Sequence, residues 1–288
     1  MFDLIYIFTF INRNTVEALF KSFLLNRSIK LGVVAVAQNN IRIDTAPYES
    51  EYTRIWVKTV AGQLNSSEAR NVGIEYVLQH HLTSKFILFP DDDSSFDACF
   101  FENFNRVANP QYCYLTDVYE TGSKSYFQHI KVKPEQQIDK SFWNNVGAVN
   151  MLVNYETFLR VGMFDENMGV AAKYGGGEDG DYFFRSLYAG AKYQYTPLLY
   201  SYHPSGKNKY KNMSYKQILK RFRNYGTGVE YLLIKHKMYK SAFYICFKAL
   251  PATGLYLFTF RPKLASVYFY AFCIRLYSLI TFIYSHKT

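Results

Sequence analysis

Residues 4–10 are apolar throughout except for Thr9. A run of strand length that is apolar on both faces is what the centre of a parallel sheet requires, so this segment is predicted to be a buried strand. The period then changes: Val16, Leu19, Phe20, Phe23 and Leu24 give residues 15–25 helical spacing, and residues 31–37 return to a continuous apolar run. Further on, Ala69, Val72, Ile74, Tyr76 and Val77 put an apolar stripe on a helix over residues 67–78, and residues 85–89 form a short strand that stops at Pro90. Strands alternating with helices imply an α/β fold, Rossmann-like, with a mostly parallel central sheet flanked by helices. In such sheets ligands bind beyond the carboxyl ends of the strands, so the residues after Phe89 are of first interest.

Those residues are Pro90-Asp91-Asp92-Asp93. Three adjacent carboxylates repel one another, and a hard divalent cation such as Mg²⁺ or Mn²⁺ relieves that repulsion while sharing itself with substrate phosphates. A turn or helix cap fits the same residues, since Ser94 and Ser95 follow. A second acidic group lies in Gly175-Gly176-Gly177-Glu178-Asp179-Gly180-Asp181. Its glycines let a backbone approach a ligand closely, and its carboxylates precede a helix predicted over residues 182–188, whose start favours negative charge. An acidic N-cap accounts for one of these carboxylates more readily than for three. The oxygen spacing of a calcium loop is missing. No GxGxxG follows the first strand and no GxxxxGK[ST] occurs, which argues against dinucleotide oxidoreductases and P-loop NTPases.

The chain has 288 residues, 49% hydrophobic and 19% aromatic, which suits one large domain or a domain with an appendage and excludes a disordered or collagen-like chain. Cys99, Cys113, Cys246 and Cys273 are widely separated, without zinc-binding spacings, and are expected to be free thiols in a reducing cytosol. Residues 1–11 lack the basic start and small-residue cleavage site of a secretory leader. The net charge of +10 is uneven: from residue 207 onward there are fifteen Lys and Arg and a single acid, Glu230, giving +14 and leaving −4 for residues 1–206. A basic, aromatic tail on a mildly acidic body points to an anionic partner, lipid or nucleic acid, unless the tail is simply a solvated face.

Within that tail, Tyr215, Ile218, Leu219, Phe222, Tyr225, Val229 and Leu232 recur at helical spacing over residues 213–236, with Lys216, Lys220, Arg221 and Arg223 between them. Such a basic amphipathic helix fits an anionic membrane surface or packing on the body. Gly226 and Gly228 predict a bend or a close contact there. Residues 241–260 and 264–283 are each long enough to span a bilayer, but the first carries Lys248, Pro251 and Gly254 and the second Arg275. Basic residues at every end, Lys235, Lys237, Lys240, Arg261, Lys263 and Lys287, oppose a spanning hairpin, so helices lying in the membrane interface are expected.

With these motifs in place, residues 5–204 resemble family 2 of the GT-A-type glycosyltransferases. The resemblance rests on Ser67-Glu68-Ala69-Arg70-Asn71-Val72-Gly73-Ile74, on Ile87-Leu88-Phe89-Pro90-Asp91-Asp92-Asp93, on Val161-Gly162-Met163-Phe164-Asp165-Glu166, and on Gly177-Glu178-Asp179-Gly180-Asp181 with Arg185 and Gly190, in that order. It implies that Arg70 reaches the base or ribose of a nucleotide, the alternative being a surface salt bridge. Asp91, Asp92 and Asp93 look like the D-x-D element, with Asp91 toward the ribose or donor sugar and Asp93, assisted by Asp91, on the metal. Gly147 looks like the glycine of the loop beneath the donor sugar, and Asp179, with Glu178 as second choice, like the general base. His203 stands where such enzymes place a metal-binding histidine, although a lone imidazole is also often a hydrogen-bonded loop residue. Where the family usually has an Asp that holds uracil, this chain has Gln38, whose amide offers different donors. Asn154 stands where many relatives have Arg.

The resemblance implies an inverting, metal-dependent transferase using Mn²⁺ or Mg²⁺, with residues 1–206 as the catalytic domain and residues 207–288 as a membrane-associating helical region. Its donor would be a nucleotide sugar, with UDP the expected nucleotide. Its acceptor would be a lipid-linked or membrane-proximal glycan of a surface polysaccharide, resembling capsule, lipopolysaccharide or teichoic acid, at the cytoplasmic side of the cell membrane. A nucleotidyl or phosphosugar transferase also needs a strand-end Asp pair and a metal. A non-catalytic nucleic-acid binder would leave the acidic clusters without purpose, so no nucleic-acid partner is expected.

Overall fold

A computed structural model of the chain describes residues 1–205, 210 and 213–285; the domain junction expected at residues 206 and 207, and Lys287, lie outside the described residues. The N-terminal apolar run becomes β1 (Phe2–Phe10), in which Leu4 to Phe8 are fully buried. α1 (Arg13–Phe23) starts earlier than its apolar spacing suggests, because the Asn12 side chain accepts the Asn14 N–H as a cap. It is followed by β2 (Leu31–Ala37), β3 (Thr53–Thr59), α2 (Ser66–Gln79) and β4 (Ser84–Leu88). The order β3-β2-β1-β4 is parallel throughout, with Leu4 opposite Leu31 on one side and Phe86 on the other.

α2 opens on a capping box between Asn65 and Glu68. It lies close to β1 because Gly73 has no side chain: a Cβ there would fall 2.5 Å from Ile7 Cγ2. Alternation along β1 sends Leu4, Tyr6, Phe8 and Phe10 into one apolar layer, with residues of α1, and Ile5 and Ile7 into another, with residues of α2.

The other half of the sheet comes from α3 (Ala98–Val107), β5 (Cys113–Glu120), β6 (Tyr126–Gln128), β7 (Gln137–Ile138), β8 (Met151–Asn154), α4 (Tyr155–Val161), α5 (Glu178–Tyr188) and β9 (Tyr193–His203). Here the pairing is mixed. β8 is antiparallel to both β4 and β5, β5 is parallel to β9, and β6 and β7 are antiparallel edge pieces on β5 and β9. The fold is therefore α/β with a central sheet flanked by helices, fully parallel only in the half formed by β3, β2, β1 and β4.

The residues group into two compact units, Met1–Phe164 with Tyr182–Gly206, and Asp165–Asp181 with Lys207–Thr288. The second unit contains α6 (Tyr215–Lys235), α7 (Tyr239–Phe247), α8 (Ala249–Phe258) and α9 (Pro262–Ser285). Ser214 caps α6, which runs through Gly226 and Gly228 without interruption. The close contact predicted for these glycines is present: a Cβ on Gly228 would lie 2.3 Å from the carbonyl oxygen of Gly176. The apolar stretch expected at residues 241–260 is divided at Lys248 into α7 and α8. Pro251 then sits in the first turn of α8, where its missing N–H costs nothing. By length and composition, Tyr239–Phe258 and Pro262–Ser285 are long and apolar enough to cross a membrane. Arg275, midway along α9, meets the buried carboxylate of Glu230 on α6 at 3.4 Å.

Candidate functional site

β4 ends at Leu88, and after Phe89 and Pro90 the chain presents Asp91, Asp92 and Asp93. β9, running in the same direction, ends at His203. A two-residue bridge joins these strand ends: Ser95 and Tyr202 exchange backbone hydrogen bonds of 2.9 and 2.8 Å. The Ser94 hydroxyl also donates to the Asp91 carbonyl at 2.6 Å, which tightens the acidic turn. As a result, His203 Nε2 lies 3.1 Å from Asp93 Oδ1 and 3.8 Å from Asp91 Oδ2. Its Nδ1 is 2.9 Å from the Pro204 carbonyl, and the ring stacks on Phe127 with centroids 4.3 Å apart. A carbonyl only accepts, so Nδ1 carries the proton and Nε2 is the nitrogen available toward the carboxylates.

Arg70 comes to the same place from α2. Its Nη2 is 3.4 Å from Asp91 Oδ1, and its side chain is only 7% exposed. The guanidinium lies 5.4 Å from the Phe164 ring centroid. That ring is fixed by the neighbouring Asn71, which accepts the Phe164 N–H at 2.8 Å and donates to its carbonyl at 3.0 Å. Arg70 is thus a buried cation at the acidic turn, with none of the mobility of a surface salt bridge. Asp92 turns instead toward α1, where the Thr15 hydroxyl donates to it at 2.7 Å.

The electrostatics follow from crowding. Burial raises Asp91 above the usual carboxylate range; Arg70 and His203 oppose that shift, while Asp93 and Asp92 reinforce it. Burial also raises Asp92, against the hydrogen bond from Thr15. For His203, burial alone would lower the imidazole, but the hydrogen bond to Asp93 and the carboxylates around it prevail, and its net shift is upward. Among the described residues no group of three or more His, Cys, Asp or Glu side chains is placed so that it could hold a metal ion. Mg²⁺ sites commonly use only one or two carboxylates, with substrate phosphates and water supplying the other ligands, and Asp91 and Asp93 are donors of that type.

Other expected residues have different surroundings. Gln38 is buried, its amide nitrogen donating to Thr9 Oγ1 at 2.8 Å and its oxygen accepting the Leu64 N–H at 2.7 Å. Gly147 is extended and donates its N–H to Asn150 at 2.8 Å, and a Cβ on it would sit 3.5 Å from the Gln128 amide oxygen. Asn154 is the N-cap of α4, accepting the Thr157 N–H at 2.8 Å and donating to Pro110 at 3.0 Å, which accounts for an amide at that position.

In the second unit, α5 begins at Glu178, four residues before the predicted start, so Glu178, Asp179 and Asp181 share its first turn. The preceding glycines lie against α6. A Cβ on Gly175 would fall 2.4 Å from Asn224 Cβ, one on Gly176 3.2 Å from the Tyr225 ring, and Gly177 has φ +88° beside the Gly228 carbonyl. These glycines pack closely on α6, a contact that the sequence did not reveal. Glu178 is buried and Asp179 half-buried. Asp181 is fully buried and contacts Lys235 at 2.6 Å and His236 at 2.8 Å, contacts that nothing in the sequence gives reason to expect. Burial raises Tyr225, as do the neighbouring charges of Glu178 and Asp179, while Arg221 opposes the shift.

No protein-family model matches the sequence, and no curated protein matches it. Solved structures of S. aureus TarS do resemble it. The longer TarS chain aligns with a TM-score of 0.56 at 13% identity, over 81% of this chain and 43% of that one. A fragment of TarS comprising residues 1–349 aligns with a TM-score of 0.59 at 12% identity, over 92% and 89% of the two chains. The same fragment in complex with UDP-GlcNAc aligns with a TM-score of 0.56 at 12% identity, over 81% and 71%. The present chain therefore spans less than half of the longer TarS chain. At these identities the likeness is one of architecture: the chain shares the α/β fold of these structures.

Proposed function

We propose that the chain is a glycosyltransferase that moves a sugar, with inversion, from a UDP-sugar to a hydroxyl of a membrane-proximal or lipid-linked surface glycan. The observation that carries this reading is the meeting of Arg70, Asp91, Asp93 and His203 at the carboxyl ends of β4 and β9. It is supported by a fold shared with TarS, a protein solved with UDP-GlcNAc bound.

In this reading Asp93 and His203, with Asp91, hold a Mg²⁺ or Mn²⁺ ion through their carboxylate oxygens and Nε2. When bound, that ion offsets the negative charge that grows on a departing diphosphate. Arg70 is assigned to orient the nucleotide from its position over Phe164, and Asp91 to face the donor; Asp92, held by Thr15, would reach the donor only by leaving that hydrogen bond. Gly147 is assigned to the loop beneath the sugar, and Gln38 to the side of the base. The acceptor hydroxyl is a weak nucleophile until its proton is removed, and a carboxylate on the face opposite the leaving group takes that proton as the new bond forms. Asp179 is assigned this role, with Glu178 as the alternative.

The helical region is assigned to the cytoplasmic membrane interface, lying in its plane. Phe258 and Phe260, 84% and 93% exposed, adjoin Arg261 and Lys263 in the turn between α8 and α9, an apolar tip beside basic residues suited to anionic headgroups.

A thermal-shift panel of UDP-, GDP- and dTDP-sugars with and without Mn²⁺ tests the reading. Stabilisation by a UDP-sugar that requires Mn²⁺ is expected, and stabilisation by none of these compounds would overturn it. Release of pyrophosphate in place of UDP would favour a nucleotidyl transferase. Complete resistance to carbonate extraction would overturn the peripheral attachment.

A further inference from the structure

The last turn of α6 closes the segment that carries the assigned base. Lys235 Nζ lies 2.7 Å from Asp165 Oδ2 and 2.6 Å from Asp181 Oδ1. Asp165 and Asp181 are the two ends of a stretch belonging to the second unit, and it contains Glu178 and Asp179. One ammonium therefore holds both ends. His236 adds a second contact, its Nε2 being 2.8 Å from the same oxygen of Asp181.

The shifts of Asp165 and Lys235 both favour their charged forms. Burial would raise Asp165, yet the hydrogen bond from Lys235 leads a set of favourable contacts that brings it below the usual carboxylate range. Burial would lower Lys235, yet Asp165 and Asp181 bring it above the usual range. Asp181 is fully buried, and a carboxylate so placed depends on charged donors for its place in the fold.

The clasp reaches Asp179 through a turn with no slack. Asp181 donates its N–H to the Gly177 carbonyl at 2.9 Å, within the first turn of α5. On the side facing α6, a Cβ added to Gly180 would lie 2.7 Å from Leu232 Cδ2, and one added to Gly177 would lie 3.1 Å from the Gly228 carbonyl. A turn packed this tightly takes its position from whatever holds Asp181.

We propose that Lys235, assisted by His236, is a positioning residue that sets the place of Asp179 by gripping Asp181. The proposal rests on the reading of Asp179 as the base. Because reacting groups tolerate little displacement, loosening the grip should lower turnover while leaving donor binding intact.

The test compares the full-length wild type with Lys235→Met, Lys235→Arg, Asp165→Asn and Asp179→Asn, using transfer from a UDP-sugar, the donor KM and thermal unfolding. Lys235→Met is expected to lower kcat by on the order of 10²-fold with the donor KM unchanged. Lys235→Arg, which keeps a cation, is expected to restore most of the rate. Asp165→Asn, which leaves the Lys235–Asp181 pair, is expected to lower the melting temperature more than the rate. Should Lys235→Met fail to fold, Lys235→Gln serves in its place with the same expected loss. Wild-type kcat in the Met or Gln variant, with only a lower melting temperature, would overturn the proposal alone. Wild-type kcat in Asp179→Asn, or no transfer by the wild type, would overturn the functional reading and this proposal with it.

Discussion

Nε2 of His203 faces Oδ1 of Asp93 at 3.1 Å while the opposite ring nitrogen is tied to the Pro204 carbonyl. The tie fixes both the tautomer and the angle of the ring, as outer partners of metal-binding histidines do. His203→Ala and Asp93→Asn are each predicted to lower sugar transfer by on the order of 10²-fold or more, the scale of losing one group that stabilises developing charge. Both should also abolish Mn²⁺-dependent stabilisation by the donor in thermal-shift titrations. Full Mn²⁺ dependence in both variants would remove these residues from the metal site.

Arg70 and Asp91 form a second relationship on the same turn, and the guanidinium lies over the Phe164 ring. Arg70→Ala leaves Asp91 among Asp92, Asp93 and protein atoms without its strongest opposing charge. UDP binding measured by calorimetry is predicted to weaken by about 2 kcal/mol, the range of a hydrogen bond to a charged group. Arg70→Lys should recover little, since an ammonium does not reproduce the guanidinium's fork of donors. Unchanged affinity in Arg70→Ala would place the nucleotide elsewhere.

The reach of sequence reasoning here has physical limits that particular residues show. β1 and β2 are legible because they are buried on both faces, so their residues need no alternation. β3 is an edge strand with Arg54, Lys58 and Thr59 exposed, and its mixed pattern resembles a loop. β5 and β9 carry polar residues whose partners are distant: Asp117 is fully buried and accepts from Tyr195 of β9 at 2.7 Å. β6, β7 and β8 are too short for any period to develop. Asp91 to Asp93 and His203 stood out as chemistry on strand ends, whereas Phe127, Lys235 and His236 matter only through contacts that folding creates. Gly228 signalled a close contact, and only the structure shows that its neighbour is Gly176.

That closeness gives a stability prediction. In a helix, Gly→Ala ordinarily gains about 1 kcal/mol. At Gly228 the added carbon would lie 2.3 Å, 2.6 Å and 2.7 Å from backbone atoms of Gly176, which cannot turn aside as a side chain can. Overpacking of this kind costs about 1 to 3 kcal/mol or more, so Gly228→Ala is predicted to destabilise the protein despite better helix propensity. Gly254→Ala in α8 is the control, since a Cβ there meets nothing within 4 Å and is predicted to stabilise. Thermal unfolding of the two variants should move in opposite directions.

The buried pair of Glu230 and Arg275 gives a prediction in pH. Glu230 is fully buried, and its Oε2 has no hydrogen-bond partner among the described residues. Burial pushes its carboxyl up to about 7 from 4.5, even though Arg275 at 3.4 Å pulls the other way. The folded chain thus holds this proton more tightly than the unfolded chain does. Below pH 4.5 both states are protonated and the group contributes no difference. Between pH 4.5 and 7 the unfolded chain has released the proton while the folded chain retains it, so stability falls as pH rises. Above that window the loss levels off at about 3 kcal/mol. Glu230→Gln keeps an acceptor for Arg275 but cannot titrate, so its stability should lack this component of the decline. Arg275→Met removes the opposing charge and should carry the decline to higher pH. Urea unfolding of the wild type and both variants from about pH 4 to about pH 8 checks this, and parallel curves for wild type and Glu230→Gln would show that Glu230 is not the group responsible.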